Sequence, residues 1–143
     1  MGWTTFLDSD DWIEPTFLEG VYRKAISNHA DIVFTDIKYC YTTRTDIHYT
    51  YRWRGIPQDE LICYLSQTRN VPGWGLVRRS LIIENNYRFP EDITIYEDFH
   101  LLVRLVFKSK AISQVERPLY NYRMHDNSIV HSTDHNRTIQ NQV

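Results

Sequence analysis

Phe6-Leu7-Asp8-Ser9-Asp10-Asp11-Trp12 crowds three carboxylates together directly after an apolar, strand-like stretch, Trp3 to Leu7. Like charges at that density repel unless a cation accompanies them. Carboxylate oxygens are hard donors that suit Mg²⁺ or Mn²⁺. A loop beyond the carboxyl end of a strand is also where α/β sheets bind phosphorylated ligands. The run therefore points to an α/β fold with a metal-diphosphate site.

Three other readings compete with it. An EF-hand would use Asp8, Asp10 and Glu19 as loop positions one, three and twelve, but the position that needs Gly holds Ile13, and Pro15 follows. A phosphatase of the aspartyl-phosphate kind also carries Asp-x-Asp at a strand end, with Thr or Val two residues after the second Asp, where this chain has Trp12. The plainest alternative is an acidic turn capping the next helix. A short motif cannot separate these alone, so the rest of the sequence must.

The chain has 143 residues, of which 42% are hydrophobic and 14% aromatic, enough for one globular domain with a sizeable core. A net charge of −2 and the absence of a Lys/Arg stripe disfavour nucleic acid as a partner. Cys40 and Cys63 lack metal-type spacing and read as reduced thiols, which fits a cytoplasmic protein. The sequence holds no apolar run long enough to span a bilayer and no basic-then-apolar start. Any membrane contact is expected to be peripheral, at the inner face.

Glu14-Pro15 opens a predicted amphipathic helix to about Asn28, with Phe17, Leu18, Val21, Ala25 and Ile26 as its apolar residues. Ala30 to Ile37 reads as a buried strand, and Tyr39 to Trp53 as a hairpin or two edge strands. Gln58 to Ser66 has helical spacing, Asn70 to Gly75 reads as a breaker-rich loop carrying Trp74, and a short helix follows from Arg79 to Glu84, ended by Asn85-Asn86. From Glu97 to Lys108 apolar residues cover most of the circumference, so that helix is expected to be deeply buried. Two short strands, Ala111 to Val115 and Leu119 to Arg123, precede a polar tail.

In this layout few strands precede the acidic run, although a nucleotide base needs a pocket built by earlier strands. The chain is expected to be a single domain, 1–143, truncated at both ends. Its missing strands would leave an edge exposed near Phe6, Ile32, Val33 and Phe34, so the chain is expected to self-associate.

The ordered set Phe6-Leu7-Asp8-Ser9-Asp10-Asp11-Trp12, Ala30-Asp31-Ile32-Val33, Arg78-Arg79-Ser80-Leu81, Phe89-Pro90, Tyr96-Glu97-Asp98 and Leu119-Tyr120-Asn121-Tyr122-Arg123 resembles the family 2 glycosyltransferases of GT-A fold. The resemblance covers nearly the whole chain. It implies a partial GT-A, Rossmann-like α/β fold, a mixed sheet flanked by helices. What the sequence lacks against that pattern is the opening strand with its Pro-x-Tyr-Asn turn and the Val-Asp-Asp-Gly-Ser run that helps hold uridine.

The resemblance implies transfer of a sugar from a nucleotide diphosphate donor to an acceptor hydroxyl with inversion, in bacterial surface polysaccharide or lipopolysaccharide synthesis. The acceptor would be a glycan or a lipid-linked glycan. Mn²⁺ or Mg²⁺ near Asp8, Asp10 and Asp11 would neutralise the departing diphosphate. Asp10 would be the closer metal contact, Asp8 would contact ribose or orient the site, and Asp11 would do either. Asp98 matches the family's Glu-Asp motif as the base, with Glu97 supporting it or meeting the acceptor. The same pair could simply complement a helix dipole. Trp74 would stack on an acceptor sugar or plug the core. Arg123 and His125 would reach diphosphate or metal, or stand in solvent.

The remaining histidines, His29, His48, His100, His131 and His135, show no ligand spacing and read as structural or solvated. Two rival functions stay open. One is a metal-dependent phosphotransferase with Asp8 as nucleophile. The other is a non-catalytic glycosyltransferase remnant, and in either glycosyltransferase case the chain alone is expected to be inactive.

Overall fold

The computed structural model describes residues 2–48, 57, 59–63, 73–93 and 97–124. The elements run β1 (Trp3–Thr4), β2 (Trp12–Ile13), α1 (Phe17–Ser27), β3 (Ile32–Cys40), β4 (Thr45–His48), β5 (Gly73–Arg78), α2 (Arg79–Glu84), α3 (Glu97–Lys108) and β6 (Ile112–Arg123). Residues 59–63 are helical as well. The strands form one mixed sheet in the order β1-β5-β3-β6-β2, with β4 paired to β3. β3 runs parallel to β6 and antiparallel to β5 and β4.

Period-two alternation sorts the sheet into two faces. Ile32, Phe34, Val77 and Tyr120 point to the side covered by Leu101, Leu102, Leu105 and Val106 of α3. Val33, Leu76 and Leu119 point the other way, onto Phe17, Val21 and Ala25 of α1. Each fully buried Leu or Ile contributes about 1.5–3 kcal/mol of burial, so these two layers hold the sheet between helices.

Gly75 sits where the β3–β5 register shifts between Val33 and Phe34. A Cβ there would lie 2.2 Å from the Val33 carbonyl oxygen, so the backbones can meet at this bulge only without a side chain. The loop expected over Asn70 to Gly75 is therefore, from Gly73 on, a strand, and Gly75 marks its bulge rather than a break. The two strands expected after Ala111 are one, β6, whose register jumps from Val115 to Pro118 opposite Thr35 and Asp36. Pro118 has no N–H to give and sits at that irregularity.

Other expectations shift by smaller amounts. β1 pairs only at Trp3 and Thr4, and Phe6 leaves the ladder to pack edge-on against Phe89 at 5.3 Å. β3 runs on to Cys40 and folds back through β4, so the hairpin holds as far as His48; residues 49–53 lie outside the described set, as does helix 58–66 beyond 59–63. α3 is buried on one stripe, not most of its circumference: Phe107 is 65% exposed. On α1 Leu18 and Ile26 face outward with Tyr22. Ile32, Val33 and Phe34 are fully buried in the central strand rather than beside an open edge.

Candidate active site

Asp8 to Asp11 form a tight turn closed by the Asp11 N–H donating to the Asp8 carbonyl at 3.1 Å. The chain then enters β2, where Trp12 and Ile13 pair with Asn121 and Tyr120 of β6. Because β3 and β6 are parallel and end together at Cys40 and Arg123, the turn sits at the carboxyl end of the parallel pair.

β6 grips the turn from inside the fold. The Tyr120 hydroxyl donates to Asp11 Oδ2 at 2.8 Å and accepts from the Asp8 N–H at 3.4 Å. The Arg123 N–H donates to Asp11 Oδ1 at 2.9 Å, and Arg123 Nε donates to the Asp10 carbonyl at 2.8 Å. The Arg123 guanidinium also lies 5.1 Å from the centre of the Trp12 ring. Both Asp11 oxygens are thus turned toward β6. Partial burial pushes the Asp11 carboxyl up, and the Arg123 and Tyr120 hydrogen bonds pull it back. Burial and the bond to Asp11 push the Tyr120 phenol well above its ordinary range.

Asp8 behaves differently. Among the described residues its carboxylate accepts no hydrogen bond. Partial withdrawal from water, then Asp10, then Glu97 push its carboxyl above the ordinary range. Asp98, half-buried at the start of α3, is pushed up first by burial and then by Glu97 and Asp8, while the Phe99 N–H, donating to its Oδ1 at 2.7 Å, pulls it down. The fold therefore brings Asp8 near Asp10 and Glu97, and Asp98 near Glu97 and Asp8. The helix N-terminus does use Asp98, through that Phe99 contact.

Among the described residues no group of three His, Cys, Asp or Glu side chains converges on one ion. With both Asp11 oxygens bonded to β6, the other hard donors on the turn are Asp8 and Asp10. That set fits Mg²⁺ or Mn²⁺, which are held by one or two carboxylates together with substrate phosphates.

The other sequence candidates divide. Trp74 lies in β5 opposite Phe34, not in a loop, and its side chain is outside the described residues, as are Tyr96, His125, His131 and His135. Asp31 and Arg78, from two of the quoted motifs, are structural partners: Arg78 Nε donates to Asp31 Oδ1 at 2.7 Å, and the Lys110 N–H donates to Asp31 Oδ2 at 2.8 Å. Sequence reasoning assigned no role to Tyr120 or Glu14. Glu14 Oε1 accepts from Lys38 and Asn121, and the Lys38 bond holds its carboxyl below the ordinary range.

The model of glycosyl transferase family 2 matches residues 2–85, more than half of the chain. The chain belongs to glycosyl transferase family 2. It is 34% identical over 135 residues to the glycosyltransferase EpsH of Bacillus subtilis, covering 87% of this chain and 38% of that protein. It is 24% identical over 141 residues to the glycosyltransferase YibD of Escherichia coli, covering 89% of this chain and 39% of that protein. The chain thus spans less than half the length of these relatives.

Among solved structures, it superposes on Staphylococcus aureus TarS, residues 1–349, in complex with UDP-GlcNAc, with a TM-score of 0.66 and 18% identity, covering 92% of this chain and 37% of that one. The TarS complex with UDP gives a TM-score of 0.62. The mixed sheet with helices on both faces is a partial GT-A fold. Among the described residues no helix is long and apolar enough to cross a membrane.

Proposed function

We propose that these residues form the metal and acceptor side of an inverting glycosyltransferase that moves a sugar from a nucleotide diphosphate to an acceptor hydroxyl. The observation that carries this reading is the Asp8–Asp11 turn held at the carboxyl end of the parallel β3–β6 pair, with Asp8 near enough to Asp98, at the start of α3, to help push its carboxyl up. A cation site and a proton acceptor at one cleft are the two requirements of such a displacement. The UDP-GlcNAc and UDP carried by the TarS structures support a uridine diphosphate sugar as the donor class.

In this reading Asp8 and Asp10 would hold Mn²⁺ or Mg²⁺. When bound, the cation neutralises charge on the leaving diphosphate. Asp98 takes the acceptor proton as the hydroxyl attacks the anomeric carbon. Its raised proton affinity suits that role better than an ordinary carboxylate would. Glu97 supports Asp98 or meets the acceptor, Trp74 is assigned to the acceptor, and Arg123 and His125 to the diphosphate or the metal. The acceptor is a glycan or lipid-linked glycan of the bacterial envelope, and the enzyme works in the cytoplasm or at the inner face of the membrane.

The extra length of the relatives supports placing the nucleotide-base pocket in polypeptide beyond these 143 residues, so this stretch alone is inactive. Its exposed Leu18, Tyr22 and Ile26 stripe on α1 supports self-association. The test is sugar transfer from UDP-sugars by a version of the enzyme with the full length of its relatives, assayed with Mn²⁺ and with chelator. Transfer with inversion, lost on chelation, is expected; metal-independent transfer or retention would overturn the reading.

A further inference from the structure

Asp11 and Tyr120 stand out because the reaction does not need them, yet they are tied to each other and to the acidic turn. Tyr120 is 5% exposed, packed in the α3 layer of the core, and its hydroxyl reaches two points of the turn, Asp11 Oδ2 and the Asp8 N–H. Asp11 Oδ1 accepts from the Arg123 N–H, and Arg123 Nε donates to the Asp10 carbonyl. Every one of these contacts ends on the turn's backbone or on Asp11. None ends on the Asp8 carboxylate.

We propose that Tyr120 and Asp11 are positioning residues: a clamp that fixes the Asp8–Asp11 turn so that Asp8 and Asp10 are presented to the α3 N-terminus, with Asp11 a strut and not a cation ligand. The proposal rests on the glycosyltransferase reading above, which supplies the cation. The logic is that of outer partners at metal sites. A ligand on a short loop points correctly only if its backbone is held, and a buried phenol anchored in a strand is a stiff holder. Asp11 can serve because its two oxygens are satisfied by an O–H and an N–H that both belong to β6.

The test uses amide exchange by NMR and thermal unfolding of the 143-residue chain, and Mn²⁺ affinity by electron paramagnetic resonance, with UDP present, in a version of the enzyme with the full length of its relatives. Tyr120→Phe keeps the ring and its packing. It is expected to speed exchange of the Asp11 N–H, which bonds to Asp8 and not to Tyr120, and to weaken Mn²⁺ about tenfold with little change in Tm. Asp11→Asn, which keeps an acceptor for Tyr120, is expected to weaken Mn²⁺ less than Asp10→Asn does. Wild-type exchange at Asp11 in Tyr120→Phe, or equal losses in Asp11→Asn and Asp10→Asn, would overturn the clamp. Should wild type bind no Mn²⁺ even with UDP, the cation reading is what fails, and the clamp is then decided by Asp11 exchange alone.

Discussion

The Tyr120 hydroxyl donates to Asp11 Oδ2 at 2.8 Å across 109 residues of sequence, which ties the last strand of the sheet to its first acidic turn. The contact separates three carboxylates that look alike in sequence. Asp11 faces inward to β6, whereas Asp8 and Asp10 belong to a group of acids that includes Glu97 and Asp98.

Asp98→Asn preserves shape and the Phe99 contact but removes the proton acceptor. In a full-length version of the enzyme, turnover is expected to fall about 10²- to 10⁴-fold while donor affinity stays nearly unchanged. Transfer rates and donor binding measured side by side check this. Near-normal turnover would leave Asp98 a helix-terminus residue only.

Asp8 carries a stability cost that depends on pH. Its carboxyl binds a proton more tightly folded than unfolded. The ionised fold is therefore penalised in full at neutral pH, and the penalty fades as pH falls through the folded value toward the ordinary one. Asp8→Asn is expected to stabilise at neutral pH by about 0.5 kcal/mol, since solvent screens this exposed position, and to give no gain near pH 4. Glu14→Gln has the opposite sign, because Lys38 lowers the Glu14 value: it destabilises at neutral pH, and the loss fades in acid. Urea unfolding of both variants at the two pH values tests the pair, and matching signs would contradict it.

Gly75→Ala forces a Cβ to 2.2 Å from the Val33 carbonyl oxygen, backbone against backbone. It is expected to cost about 3 kcal/mol. Gly20→Ala in α1 meets only Leu119 Cδ1 at 3.4 Å, and should gain up to about 1 kcal/mol from helix propensity. Thermal unfolding of the two variants ranks them; a tolerated Gly75→Ala would mean that the β3–β5 bulge is not as described.

Leu18, Tyr22 and Ile26 form an outward apolar stripe at i, i+4 and i+8 on α1, each more than half exposed. The 143-residue chain is expected to associate with a second copy through it, and to show no sugar transfer. Light scattering coupled to size exclusion should find a dimer or larger for wild type and a monomer for Leu18→Glu/Ile26→Lys. A monomeric wild type that turns over a nucleotide sugar would refute both expectations.

What the sequence revealed is what local pattern encodes. α3 is bounded as its acidic start and apolar spacing require, α2 ends at Asn85 and Asn86, and the acidic run does sit at the end of a sheet. Misreadings arose where a residue's meaning depends on a distant partner. Gly75 reads as a breaker until Val33 is known to lie against it, and Pro118 reads as a strand end until β3 is known to carry the irregularity opposite it. The site was legible as residue types, through Asp8, Asp10, Glu97 and Asp98. The division of labour within the acidic run was not, because the Tyr120 hydroxyl that makes it arrives from the far end of the chain.

The account's central claim is that Asp8 and Asp10 hold a cation for a nucleotide diphosphate. Titration calorimetry of UDP into the full-length enzyme, with Mn²⁺ and with chelator, in wild type and in Asp10→Ala, tests it most directly. The account predicts tight binding only in wild type with Mn²⁺, with the metal weak in the absence of UDP. Equal UDP affinity with metal and with chelator, or an Asp10→Ala protein indistinguishable from wild type, would contradict it.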